Sequence, residues 1–171
     1  PLHLAATGGA ATASLRIKSD MEPHKTMWLS ETRDELQCLD TALLAYEESP
    51  AATIHIDEIF RVMHSMKSSC AHMGLECLAR ITHTCESLLQ PHRENGTTPD
   101  EDVFKHLFAV KDYLFACIEC IDAGNTVAPD AGAIVAGAAA LLRQAETNSV
   151  SKTFTWHLSE DDLSRVRKIR S

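Results

Sequence analysis

No nucleotide-binding loop of the form GxxxxGK[ST] occurs in this sequence, no GxGxxG follows a strand pattern, and neither GxSxG nor HExxH is present. Those absences remove the footholds of most standard enzyme classes. Positive charge is also short. The chain carries 16 Lys and Arg against 24 Asp and Glu, a formal charge of −8. General nucleic-acid or anionic-membrane binding needs clustered positive charge and is therefore not expected. The longest nearly unbroken apolar run, Ala131 to Leu142, is mostly Ala and Gly. A spanning helix needs roughly 20 strongly apolar residues, so no direct membrane insertion is predicted. The N-terminus lacks a charged stretch followed by an apolar one, so no secretory signal is read and a cytoplasmic location is expected.

What is present suits an ordinary folded domain. The 171 residues are 44% hydrophobic, enough to bury a core. Residue 1 is Pro, and Met21 is a plausible native start. Cysteines at 38, 70, 77, 85, 117 and 120 lie mostly inside helical patterns, where they behave as small buried hydrophobes rather than as a disulfide framework. Cys117 and Cys120 form a C-x-x-C, but no second such pair or H-x-x-x-H completes a tetrahedral metal site. No metal is expected.

Apolar periodicity lays out the chain. Residues 1–20 are small, rich in Gly, Ala and Thr and without period, and read as a flexible leader. Leu29, Leu36, Leu39, Leu43 and Tyr46 mark one face of a helix over 26–48, stopped by Ser49-Pro50. A second helix over 56–73 carries Ile56, Ile59, Met63, Met66, Cys70 and Met73. Gly74 makes the turn into a third over 75–90, with Leu78, Ile81, Cys85 and Leu88. Pro91 to Pro99 reads as a loop. A fourth helix begins near Asp100, with Val103, Leu107, Val110, Leu114, Cys117 and Ile121 inward, and stops at Gly124-Asn125. An Ala-rich fifth helix spans 131–146, with a weak face of Ile134, Ala138, Leu141 and Leu142. The alternation of Phe154, Trp156 and Leu158 reads as a strand, and Ser159 with Glu160, Asp161 and Asp162 as a capped helix start. The predicted architecture is all-α, an antiparallel up-and-down four-helix bundle over 21–125 with an additional C-terminal helix. Residues 126–148 hold that fifth helix and a linker, and 149–171 a linker or the start of a truncated following domain. The basic run Arg165, Arg167, Lys168 and Arg170 reads either as the solvated face of a truncated helix or as a linker that touches acidic partners.

The chemistry concentrates at the second and third helices. Phe60, His64, Lys67 and Ala71 follow at spacings of four, three and four beside the buried stripe, which places His64 at the core edge with its ring partly in solvent. Ala79, His83, Glu86 and Gln90 form the matching border stripe of the third helix. His64 and His83 lie at similar distances on either side of the turn at Gly74, hence at one height on adjacent antiparallel helices. Glu86 is one turn further and reaches back. A carboxylate that accepts a hydrogen bond from one imidazole nitrogen leaves the other as a free nucleophile. A nearby ammonium offsets charge on an incoming phosphoryl group. His64, Glu86, Lys67 and His83 thus fit a phosphohistidine site.

The stretch IFRVMHSMKSSCAHMGLECLARITHTCESLL, Ile59 to Leu89, resembles the histidine-phosphotransfer (HPt) domain of the chemotaxis sensor kinase CheA. That family has a phosphoacceptor His, then x-x-Lys-Gly, a small-residue turn with Gly, and His-x-x-Glu on the next helix. His64 matches the phosphoacceptor, Lys67 the lysine, Gly74 the turn, and His83 and Glu86 the supporting pair; Met27 to Glu47 resembles the family's first helix. Ser68 departs from the pattern, standing where the family usually has Gly. Its hydroxymethyl group is expected to alter rates or partner choice rather than abolish transfer.

The resemblance implies a two-component phosphorelay role in chemotaxis-type signalling. His64 would take phosphate from ATP through a histidine-kinase catalytic domain outside this chain and pass it to the aspartate of a CheY-type receiver domain. ATP and Mg would be used by that separate domain, and no cofactor is expected on the chain itself. Alone it is not expected to hydrolyse ATP. Two other readings stand beside this one: a free-standing or hybrid-kinase phosphorelay protein, and a helical interaction module whose phosphotransfer has lapsed.

Overall fold

The computed structural model describes residues 13–49 and 53–155. A 3-10 turn, Glu22–His24, leads into five helices: α1 (Lys25–Glu48), α2 (Thr53–Met73), α3 (Glu76–Asn95), α4 (Glu101–Asp122) and α5 (Gly132–Thr155). A compact unit runs to Ala138 and holds α1 to α4 with the opening turns of α5; a second begins at Ala139 and holds the rest of α5. Among the described residues the extended structure amounts to one antiparallel bridge, Ser14 with Val127.

The apolar stripes drive α1 to α4 together, with α1 packed on α2 and α4, and α3 on the same two helices. Leu39, Leu43, Met63, Met66, Cys70, Leu107, Val110 and Leu114 are fully enclosed. The expected inward sets of the first, second and fourth helices are all buried. The third differs by one residue. Ile81 is only half-buried, and Thr82 takes the enclosed place, its hydroxyl donating to the carbonyls of Leu78 at 2.9 Å and Ala79 at 3.0 Å. A hydroxyl that bonds its own helix enters a core without an orphaned donor.

Asp100 caps α4, accepting from the Val103 amide at 2.9 Å. Gly74 (φ +86°) turns α2 into α3, and Gly124 (φ +80°) closes α4. Both conformations favour glycine.

Three expectations are corrected. Residues 13–20 are not a loose leader. Leu15 and Ile17 are buried, and the segment is tied at both ends. Leu15 donates to the Thr126 carbonyl, and the Ala128 amide to that of Ala13, both at 2.9 Å; Lys18 donates to the Met73 carbonyl at 3.0 Å. Two inward side chains are too few to make a period, so apolar burial here left no pattern to read. Residues 1–12 lie outside the described set.

The expected loop at Pro91 is helix. α3 continues to Asn95 and ends on Gly96, whose φ of +61° makes a left-handed cap. Proline removes one intrahelical hydrogen bond. The turn survives because Leu88 and Leu89 are buried just before it and the Asn95 side chain donates to the Pro91 carbonyl at 2.6 Å. Arg93 also pairs with Asp57 of α2 at 2.6 Å.

The strand expected at 154–158 is contradicted at its start, since Phe154 and Thr155 belong to α5. No Gly or Pro interrupts the chain between 138 and 155, so nothing in that stretch breaks the helix. Trp156 and Leu158, the capped start and the basic run lie outside the described residues. Among the described residues no helix is long and apolar enough to cross a membrane.

Candidate functional site

His64 and Lys67 sit on consecutive turns of α2, and His83 and Glu86 on consecutive turns of α3. All four line one cleft of 330 Å³. The tight turn at Gly74 sets this register, because it fixes how far each helix runs before the two faces meet. The imidazole stands out from the bundle, its side chain 60% exposed, while Glu86 is 6% exposed beneath it. His64 Nδ1 lies 2.5 Å from Glu86 Oε1. Lys67 Nζ lies 2.7 Å from Glu86 Oε2 and 3.4 Å from His64 Nδ1.

A carboxylate this deeply buried is costly unless its charge is answered. Here each oxygen has its own partner, an ammonium on one and a ring nitrogen on the other. With Glu86 ionised, Nδ1 carries the proton and donates it, which leaves the lone pair on Nε2. The arrangement presents Nε2 on the side of the ring away from the buried acid, with an ammonium close by.

His83 lines the cleft, but among the described residues its imidazole makes no hydrogen bond or ion pair. Ser68 is exposed and donates from Oγ to the His64 carbonyl at 3.2 Å, so its hydroxyl is engaged by the backbone of α2 and the His64–Glu86 contact stands beside it. On the other flank Ser65 donates to Glu35 of α1, whose carboxyl is pushed up chiefly by burial.

The expected inert cysteines are so at three positions. Cys70, Cys85 and Cys117 are buried, and burial pushes each thiol up to about 12. Cys38, by contrast, is exposed. Among the described residues no group of His, Cys, Asp and Glu is arranged to hold a metal ion.

Sequence reasoning missed Arg93. Its guanidinium lies over the Phe60 ring, 4.6 Å from the centroid, and the Phe60 ring runs nearly parallel to that of His64, at 14° and 6.4 Å. The signal was the heptad step from Glu86 to Arg93, hidden once Pro91 was read as the end of the helix.

Comparison with known proteins places the chain among relatives of one kind. The chain is 28% identical over 147 residues to the chemotaxis protein CheA of Listeria innocua, a match covering 85% of this chain and 24% of that protein. It thus spans about a quarter of that relative's length. Among solved structures, the CheA phosphotransferase domain of Thermotoga maritima is 30% identical, with a TM-score of 0.56 over 61% of this chain and 99% of that one. The phosphorylated P1 domain of CheA3 in complex with CheY6 from R. sphaeroides, 21% identical with a TM-score of 0.61 over 72% of this chain and 96% of that one, shares the fold. The Hpt domain family matches residues 25–122, from the first residue of α1 to the last of α4, and the chain belongs to that family.

Proposed function

We propose that His64 is the phosphoacceptor of a CheA-type phosphotransfer domain. Its Nε2 takes a phosphoryl group from ATP held on a separate histidine-kinase domain and hands it to a receiver aspartate. The observation that carries this reading is an exposed imidazole whose Nδ1 is held at 2.5 Å by the buried carboxylate of Glu86.

The Nε2 lone pair attacks the γ-phosphorus. An N–P bond forms, the P–O bond breaks, and ADP leaves with that electron pair. The Nδ1 proton stays in its hydrogen bond, so the ring gains positive charge that Glu86 stabilises, while Lys67 offsets charge on the phosphoryl oxygens. In the second step a receiver carboxylate oxygen attacks phosphorus and the N–P pair returns to Nε2. The receiver partner is supported by the R. sphaeroides P1 domain, which shares this fold and is itself phosphorylated and in complex with CheY6. His83, which lines the same cleft, is assigned a supporting part beside the phosphoryl group.

The test uses an excised CheA-type kinase core, first verified on its own phosphotransfer domain, mixed with this chain and ATP. Mass spectrometry under non-acidic conditions is expected to find acid-labile phosphate on His64 and none in His64→Gln. Equal labelling of the variant would refute the assignment. An unlabelled wild-type chain beside a labelled control favours the lapsed module, against which the intact His64–Glu86–Lys67 contacts speak.

A further inference from the structure

A ring that is 60% exposed and held at one nitrogen can still swing about its side-chain bonds. Two clefts, of 330 and 490 Å³, are both lined by His64 and Phe60, so open space lies against both residues. Something besides Glu86 must define the plane of the imidazole if Nε2 is to meet a phosphorus in line, since misplacement of a reacting atom is expensive.

Phe60 lies one turn before His64 on α2, its ring within 14° of the imidazole plane at 6.4 Å between centroids, inside the range of aromatic pairing. Phe60 is itself covered. The Arg93 guanidinium lies 4.6 Å from its centroid, and Arg93 Nε is held 2.6 Å from Asp57 Oδ1. The contacts Asp57–Arg93–Phe60–His64 cross from α2 to α3 and back, and they exist because α3 runs through Pro91 as helix. Asp57 and Arg93 are about half exposed, so their ion pair contributes little to stability. Its value is orientation.

We infer that Phe60 and Arg93 are positioning residues for the His64 imidazole, Phe60 flanking its plane and Arg93 pinning Phe60. This rests on the reading of His64 as phosphoacceptor only for its consequence in rate; the orientation itself does not depend on it.

The test compares Phe60→Leu, Arg93→Ala and Phe60→Tyr with the wild-type chain. Imidazole nitrogen NMR of isotopically labelled histidine reads the tautomer of His64, and thermal unfolding reads the fold. Wild type should hold the Nδ1–H tautomer. Phe60→Leu and Arg93→Ala should shift it toward a mixture and slow labelling by the kinase core about three- to tenfold, the worth of one aromatic contact, with unfolding unchanged. Phe60→Tyr keeps the ring and should restore both. Wild-type tautomer in both Phe60→Leu and Arg93→Ala overturns the inference, even if labelling slows, because the loss then lies in partner contact. If the wild-type chain is not labelled but the tautomer shifts in the variants, the phosphoacceptor reading fails and the positioning stands.

Discussion

Glu86 Oε1 lies 2.5 Å from His64 Nδ1, joining a carboxylate that is 6% exposed to an imidazole that is 60% exposed. The buried partner is held by the core and the exposed one is free to meet another protein. Replacing Glu86 by Gln keeps the shape and removes the charge that stabilises a phosphorylated ring. A hydrogen bond to a charged group is worth roughly 1.5–3 kcal/mol, so His64 phosphorylation should slow by about 10- to 150-fold. Initial rates with the kinase core measure this. A rate within twofold of wild type would remove Glu86 from the mechanism.

Leu15, 2% exposed, tests whether residues 13–18 belong to the folded unit. Leu15→Ala should lower unfolding free energy by about 2–4 kcal/mol, as for other enclosed leucines. Urea denaturation followed by circular dichroism reads the change. A loss below about 0.5 kcal/mol would mean the segment contributes nothing to the fold.

Lys18 crosses the turn between α2 and α3, its Nζ donating to the carbonyls of Ala71 and His72 at 3.3 Å each. Its Cγ lies 2.6 Å from where a Cβ on Gly74 would stand, whereas nothing lies within 4 Å of the same point on Gly124. Both glycines have positive φ, so either alanine costs about 1–2 kcal/mol in backbone strain. Gly74→Ala should cost more, because the Lys18 stem must also move. In a Lys18→Ala background that excess should vanish. Equal losses for Gly74→Ala and Gly124→Ala in the wild-type background would contradict it.

Of these sites, the His64–Glu86 pair was legible in the sequence and the segment that holds Leu15 and Lys18 was not. The bundle could be read because α1, α2 and α4 bury almost every residue that a 3.6-residue period selects. The site could be read because His64 and Lys67, and His83 and Glu86, repeat at three-residue spacing on either side of one glycine turn. Residues 13–18 escaped because two buried side chains, Leu15 and Ile17, make no period, and the backbone hydrogen bonds to Thr126 and Met73 leave no mark on residue type. Arg93 escaped because a proline rule outweighed the burial of Leu88 and Leu89. Thr82 escaped because a hydroxyl satisfied within its own helix counts as polar in a pattern and as apolar in a core.

His106 on α4 gives the fold a pH dependence of known sign. It is 8% exposed, and an added Cβ on Gly137 of α5 would stand 3.0 Å from its Nδ1, close enough that the ring would have to give way slightly. Burial pushes its pKa below the ordinary 6.5. As pH falls through 6.5 the unfolded chain binds a proton that the folded chain does not, so stability drops until the lower folded value is passed. The slope is at most about 1.4 kcal/mol per pH unit. His92, also lowered by burial, adds in the same direction. Glu35, pushed up by burial, acts oppositely, since its folding penalty fades as pH falls toward 4.5. Comparison with His106→Gln cancels both, because each is present in the two proteins. Wild-type stability minus variant stability should be flat above pH 7 and decline below 6.5. A difference that is constant from pH 7.5 to 5 would mean His106 takes up its proton without opening the packing beneath α5.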